Sequence, residues 1–258
     1  MTQEPSRTNP TETSSAPLAV VTGGAQGIGL AIVDRLVDDG WRVAILDKDG
    51  EGAAAAADRA GAETCRGFTC DITDRDQVSA VVDQVQAEFG DVTALVSNAG
   101  WSPFKLFHET SDDEQQRAID INFVGALHVT RALLPMLVSA SGGRIVYVSS
   151  DAARVGVSGE AVYAGAKAAL VGFAKSLALE VGRSGVTVNV VSPGTTDTPL
   201  LRSLYDEAGI EKRARRNPMG RIGKPEDIAG AVAYFCSDSA NYVSGQVLSV
   251  SGALSRVG

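Results

Sequence analysis

The sequence is short of the residues that mark specialised protein classes. It holds 3 cysteines in 258 residues, Cys65, Cys70 and Cys236. Their odd number and spacing fit neither a disulfide framework nor a metal motif, so buried thiols in a reducing compartment are expected. Positive charge is the minority, with 23 Lys and Arg against 31 Asp and Glu and a formal net charge of -8. That balance argues against bulk attraction to nucleic acid or to an anionic membrane. Residues 1–16 are polar, rich in Thr, Ser, Glu and Pro, and carry no apolar signal-peptide core, so they read as a disordered tail. No apolar run reads as a bilayer span. A cytoplasmic location is the expectation that remains, and the 44% apolar, 21% charged composition suits it.

What is present is a regular alternation. Residues 17–258 read as one domain, a length that suits an open α/β sheet. Leu18–Thr22 and Val43–Asp47 are short β-branched, apolar runs. Between them Ile28, Ile32, Val33, Leu36 and Val37 fall on one helical face that Gly40 ends. Further strands are expected at Thr64–Cys70, Ala94–Ser97, Arg144–Ser149, Thr187–Ser192 and Gln246–Val250. Helices are expected at Asp74–Phe89, Asp112–Ser139, Glu160–Val181 and Pro225–Cys236. The strands are continuously apolar, as a parallel sheet covered on both faces requires. The pattern predicts an α/β, doubly wound, Rossmann-type domain with a mainly parallel sheet flanked by helices. The segment 199–218 is the least regular and reads as a mobile substrate lid.

The first strand runs into Thr22-Gly-Gly-Ala-Gln-Gly-Ile-Gly29 and then directly into a helix. Glycines at 23, 27 and 29 let the backbone approach a pyrophosphate, and the helix start offers free N–H groups. The second strand ends in Asp47, placed to accept hydrogen bonds from adenosine ribose hydroxyls and to repel a 2′-phosphate. The loop carries Gln26 rather than Arg, so NAD is the expected cofactor; Lys48 reads as a solvent-facing lysine.

Tyr163 and Lys167 stand four apart in a helical stretch and share one face. A free phenol with a pKa of about 10 is a poor base at neutral pH. An adjacent ammonium lowers that value, so the pair suits proton exchange with an alcohol. Ser150 follows an apolar strand, where a doubly wound sheet places ligand groups, and its hydroxyl would hold the substrate oxygen.

Taken together these pieces resemble the short-chain dehydrogenase/reductase family from Leu18 to the C-terminus. The matching motifs are Thr22-Gly-x3-Gly-x-Gly29, Asp71, Asn98-Ala-Gly100, Asn122, Ser150, Tyr163-x3-Lys167 and Pro193-Gly194. The resemblance implies a catalytic tetrad of Asn122, Ser150, Tyr163 and Lys167. In it Lys167 also binds the nicotinamide ribose and Asn122 helps hold a proton-relay water. It implies cofactor contacts from Gly23, Gln26, Gly27, Ile28, Gly29, Asp47, Asp71, Ile72, Asn98, Ala99, Gly100, Tyr163, Lys167, Pro193, Gly194, Thr196 and Thr198, with no metal. Ala166 departs from the serine the family often places before the lysine. The stretches Ser149–Gly156, Gly159–Tyr163 and Gly245–Gly252 further resemble 2-hydroxycyclohexanecarboxyl-CoA dehydrogenases, which oxidise a β-hydroxyacyl-CoA with NAD.

Three functions compete at this stage. The favoured one is NAD-dependent oxidation of a secondary alcohol, with a β-hydroxyacyl-CoA as the substrate to test. The others are a general carbonyl or 3-oxoacyl reductase using a reduced nicotinamide cofactor, and a non-catalytic dinucleotide sensor. The expected partners are a small alcohol or ketone, including a CoA thioester, and three further copies in a homotetramer; neither nucleic acid nor membrane is expected. The basic cluster Lys212–Arg216, with Arg202 and Arg221, reads either as a rest for CoA phosphates or as a solvated helix face. Arg154 is a second candidate for an anionic group, or else half of a structural salt bridge.

Overall fold

The computed structural model describes residues 16–140 and 142–256; the expected N-terminal tail falls almost wholly outside them. The strands are β1 (Leu18–Thr22), β2 (Arg42–Asp47), β3 (Cys65–Thr69), β4 (Ala94–Ser97), β5 (Arg144–Val148), β6 (Thr187–Pro193) and β7 (Val247–Val250). They form one seven-stranded sheet in the order β3-β2-β1-β4-β5-β6-β7. Every pairing is parallel. The order reverses between β1 and β4, and a cleft opens there beyond the carboxyl ends of the strands.

The helices are α1 (Gly27–Asp38), α2 (Gly50–Ala60), α3 (Arg75–Phe89), α4 (Asp112–Ile119), α5 (Gly125–Ser139), α6 (Ala152–Val155), α7 (Ala161–Val181), α8 (Pro199–Leu204), α9 (Glu207–Arg216) and α10 (Pro225–Cys236). They cover both sheet faces, giving two cores. On one face Val20, Leu46, Leu95, Ile145 and Val188 pack against Val82, Leu133 and Leu170 from α3, α5 and α7. On the other Val21, Ile45, Val96 and Val191 pack against Ile32, Leu36, Ile228 and Val232 from α1 and α10. Strands β1, β4, β5 and β6 are buried along their whole length. That explains why they read as unbroken apolar runs instead of alternating ones.

Three expectations are corrected. The run 112–139 is not one regular helix: a π-helical turn, Asp120–Val124, joins α4 to α5. Its wider turn rotates Asn122 inward, where it is 1% exposed. The segment 199–218 is not irregular: it forms α8 and α9, each started by a side-chain cap, from Thr198 and Asp206 respectively. Finally, the stretches Asp112–Ser139 and Ala161–Ser184 are long and apolar enough, by length and composition, to cross a membrane. Here the apolar side chains Leu133, Leu137, Leu170 and Leu177 pack on the sheet.

Candidate active site

One cleft of about 880 Å³ runs across the carboxyl ends of the strands. Its volume lies near the top of the range for small-ligand sites, roomy enough for an extended cofactor with a substrate beside it. The glycine loop forms its first wall. Gly23 has a φ of +67°, and a Cβ there would come within 2.8 Å of Ala99 Cα. At Gly29 a Cβ would sit 1.9 Å from the Gly23 carbonyl oxygen. No side chain fits at Gly29, and the backbone there stays open to a phosphate-sized group. Asn98 locks the loop from β4: its Nδ2 donates to the carbonyls of Thr22 (3.1 Å) and Gly23 (3.0 Å). The Thr22 hydroxyl returns the tie by accepting from the N–H groups of Asn98 and Ala99.

Asp47 sits at the tip of β2 with both carboxylate oxygens engaged. One accepts from the Ala25 N–H and the other from the Asp49 N–H, each at 3.0 Å. The carboxylate is therefore held against the glycine loop. Lys48 departs from its solvent-facing reading. Its stem is exposed, but Nζ donates to Asp71 Oδ2 at 2.6 Å, bridging the ends of β2 and β3. That hydrogen bond, with those from Thr73, holds the Asp71 carboxyl down at about 2.

Three of the four tetrad residues, Ser150, Tyr163 and Lys167, line the cleft. Ser150 follows β5 and its hydroxyl accepts from the Ala152 N–H, fixing the start of α6. Tyr163 and Lys167 project from the first turns of α7 as the four-residue spacing requires. Lys167 is 3% exposed, and its Nζ donates to the Val148 carbonyl at 2.9 Å. It lies 5.9 Å from the centre of the Tyr163 ring. Burial lowers the ammonium to about 8. The Tyr163 phenol is pushed up, first by burial, then by Glu160, against a hydrogen bond with Ser150 that lowers it. In the protein alone the expected depression of the phenol by Lys167 is not found: only the Ser150 hydrogen bond lowers it, and burial outweighs that.

Asn122 is the one member of the tetrad that does not line the cleft. Its Nδ2 donates to the carbonyls of Trp101 and Ala118, and its Oδ1 accepts from the Trp101 N–H at 3.2 Å. It clamps the loop after β4 from behind. A Cβ on Gly100 would lie 2.8 Å from Asn122 Oδ1 and 3.2 Å from Lys167 Nζ, so Gly100 lets the clamp and the lysine approach. Every other cofactor residue named from the sequence lines the cleft: Gln26, Gly27, Ile28, Ile72, Pro193, Gly194, Thr196 and Thr198 join those already described. Thr198 caps α8 through the Leu201 N–H, and its methyl lies 3.6 Å from where a Gly27 Cβ would be. The lid thus starts directly over the glycine loop.

Residues 23–255 match the family model described as Enoyl-(Acyl carrier protein) reductase. Over 242 residues the chain is 38% identical to the 3-oxoacyl-[acyl-carrier-protein] reductase FabG of Escherichia coli (strain K12), covering 93% of this chain and 98% of that one. The chain is a short-chain dehydrogenase/reductase. It is also 36% identical over 239 residues to the corresponding FabG of Chlamydia trachomatis, covering 92% of this chain and 96% of the other. Among solved structures, a variant of actinorhodin polyketide ketoreductase with NADPH superposes with a TM-score of 0.90 at 32% identity, covering 95% and 99% of the two chains. The ligand-free aldohexose dehydrogenase of Thermoplasma acidophilum superposes at 0.86 with 32% identity, covering 94% and 96%. Membership makes the protein an oxidoreductase that uses a nicotinamide cofactor.

The substrate half of this dehydrogenase/reductase cleft is built mostly by the segments that follow the strands, at 101–104, 151–157 and 195–216. It is lined by Trp101, Phe104, Val155, Val157, Leu200, Leu204 and Tyr205, with Glu160, Arg117 and Arg213. Phe104 holds a φ of +51°, uncommon for a large side chain, and meets Tyr205 edge-on at 6.4 Å between centroids. Arg117 lies over the Trp101 ring at 4.3 Å and Arg213 over Tyr205 at 3.3 Å. Of the basic cluster only Arg213 reaches the cleft; Lys212, Arg215 and Arg216 do not line it. Arg215 pairs with Glu211, Arg202 with Asp197 and Glu207, and Arg221 with Asp227. The pairs at Arg202, Arg215 and Arg221 fit the reading of a solvated face that balances neighbouring carboxylates. Arg154 is a structural partner, 3.5 Å from Asp151.

Proposed function

We propose that the protein oxidises a β-hydroxyacyl thioester to the β-oxoacyl thioester with NAD, a 2-hydroxycycloalkanecarboxyl-CoA being the ring-bearing form of that substrate. The observation that carries the redox chemistry is Ser150, Tyr163 and Lys167 converging in one cleft with a glycine loop that no side chain could fill. Residues on both sides fit a dinucleotide: a backbone cradle at Gly29, a carboxylate at Asp47, and the buried Lys167 ammonium. Bound oxidised nicotinamide supplies the hydride acceptor and a positive charge beside the phenol. Beside that charge Tyr163 would be favoured as the phenolate and would take the proton of the substrate hydroxyl as hydride passes from the carbinol carbon to the acceptor. Ser150 holds the same oxygen, Lys167 orients the ribose, and Asn122 fixes the loop behind them. In the reverse direction Tyr163 donates the proton to the ketone.

The preference for NAD rests on Asp47. Its carboxylate is fixed by two backbone N–H groups on the rim of the adenosine end and cannot swing away from a 2′-phosphate. The acyl substrate rests on the resemblance of Ser149–Gly156 and Gly159–Tyr163, and on relatives that are named 3-oxoacyl reductases. Those names equally favour the opposite direction, reduction of a 3-oxoacyl group with reduced cofactor. The deciding experiment follows reduced-nicotinamide absorbance with NAD, NADP and their reduced forms against β-hydroxyacyl-CoA, β-oxoacyl-CoA and plain secondary alcohols. Turnover of the hydroxyacyl thioester with NAD is expected. Turnover confined to simple alcohols would remove the acyl reading, and binding without any turnover would leave the dinucleotide-sensor reading.

The same reading places the enzyme in the cytoplasm as a homotetramer. Ile119, Val138 and Leu179 leave apolar surface exposed on α4, α5 and α7, Leu179 at 86%. Light scattering at micromolar concentration is expected to give four chains; a monomer would contradict it.

A further inference from the structure

Glu160 is a carboxyl group that the chemistry above leaves unused. It immediately precedes α7, is 9% exposed, and lines the cleft beside Tyr163. Among the described residues its carboxyl makes neither a hydrogen bond nor an ion pair, and it does not cap the helix it precedes. A buried, unpartnered carboxyl is costly unless something meets it. It shares the wall with Trp101, Phe104, Val155 and Val157, and the nearby Arg117 and Arg213 are stacked on aromatic rings, so the group left to meet it is the substrate. Three residues apart, Glu160 and Tyr163 lie one helical turn from each other, an offset on the scale of two oxygens carried on alternate carbons.

We propose that Glu160, as a neutral acid, donates a hydrogen bond to the acyl carbonyl oxygen of the substrate and so selects β-substituted acyl thioesters over simple ketones. This rests on the acyl reading of the preceding section. A neutral carboxyl has one O–H to give, whereas a carboxylate has none and repels a carbonyl oxygen. The surroundings favour the neutral form. Burial alone acts on Glu160 and raises it to about 7. The charged and titratable groups around it are otherwise engaged. Lys105, from the loop after β4, pairs with Glu114 of α4 at 2.5 Å. Arg117 of α4 stacks on Trp101, and Arg213 of α9 stacks on Tyr205. Asp151, after β5, accepts from the Ser249 hydroxyl at 2.9 Å. Asp113 of α4 lines the same cleft, and the Tyr163 phenol on α7 remains protonated near neutrality.

The test uses the full-length enzyme with saturating NADH and compares acetoacetyl-CoA with cyclohexanone between pH 5.5 and 8.5. The variants are Glu160→Gln, which keeps a donor but cannot titrate, and Glu160→Ala, which keeps neither. For the native enzyme the KM for acetoacetyl-CoA should rise through pH 7, by about tenfold at pH 8, while that for cyclohexanone stays flat. Glu160→Gln should hold the low KM and abolish its pH dependence. Glu160→Ala should raise the thioester KM about tenfold at pH 6 and leave cyclohexanone unchanged. Equal losses on both substrates, or a pH dependence that survives in Glu160→Gln, would overturn the proposal. Turnover of cyclohexanone with none of the thioester would overturn the acyl reading itself. Good thioester turnover that is indifferent to Glu160 would remove only the present inference.

Discussion

The two halves of the cleft are built by different means. The cofactor half is backbone: glycines at 23, 27 and 29, the Asn98 ties and the strand ends of β1, β2 and β4. Its geometry is set by what cannot be present, since a methyl at Gly29 would collide with a carbonyl oxygen. The substrate half is made of side chains borrowed from the loop after β4, α4, α6, α8 and α9, stacked in aromatic and cation pairs. A backbone cradle tolerates almost no substitution and serves one class of ligand. A side-chain wall tolerates many and sets specificity. Substitutions should therefore separate cleanly into those that act on the cofactor and those that act on the substrate.

The sharpest separation is expected at Tyr163, where the halves meet. Tyr163→Phe keeps the ring and removes the proton carrier, so kcat should fall about 10³-fold while cofactor affinity stays within about threefold. Single-turnover kinetics with a cofactor titration checks both. Lys167→Ala should add a cofactor defect to the loss of turnover, because it removes the ammonium proposed to orient the ribose. An unchanged cofactor Kd would break the assignment of Lys167 to both halves.

At Asp47 the effect is confined to cofactor choice. Like charges held about 5 Å apart in an effective dielectric of about 20 repel by roughly 3 kcal/mol, so NAD should be preferred about 10²-fold. Asp47→Ala should narrow that gap mainly by improving NADP, with substrate KM little changed. The kcat/KM ratio of the two cofactors measures it. On the other side, Phe104→Ala removes the edge contact with Tyr205 and keeps a Cβ at the same positive φ. It should raise substrate KM by about threefold to tenfold and leave cofactor Kd alone. A cofactor defect in that variant would mean that the halves are coupled through the lid.

The smallest effect is expected at the adenosine rim. The Asp71 carboxyl sits below its unfolded value, so its pair with Lys48 stabilises the fold above the ordinary carboxylate range. That contribution is lost as pH falls toward about 2. Both partners are partly solvated, so the contribution is well under ~1 kcal/mol. Asp71→Asn should lower Tm only slightly at pH 7 and not at all near pH 2.

The same division decides what could be read in advance. Buried parallel strands force continuous apolar runs, and a phosphate cradle forces glycine, so β1 through β7 and the loop 22–29 were legible. Tyr163, Lys167 and Ser150 were legible because helix spacing and a strand end fix their relation. The turn 120–124 was not, because a π-helical turn leaves the apolar periodicity nearly intact. Helix α9 was missed because its faces are mostly polar, with only Ile210 buried, and α8 because it has six residues and none of them is buried. Glu160 stands at a helix start, where a carboxylate ordinarily faces solvent, and Arg213 stands in a charged helix; only tertiary packing turns one inward and stacks the other on Tyr205. Position in the cluster Lys212–Arg216 could not tell Arg213 from Arg215, which faces Glu211 instead.

The most direct test of the account is the specificity constant of the native enzyme for NADH and NADPH in reducing one β-oxoacyl thioester, with Asp47→Ala beside it. The account predicts that NADH is favoured about 10²-fold and that the substitution removes most of the difference. Equal use of both cofactors by the native enzyme, or a preference for NADPH, would contradict it.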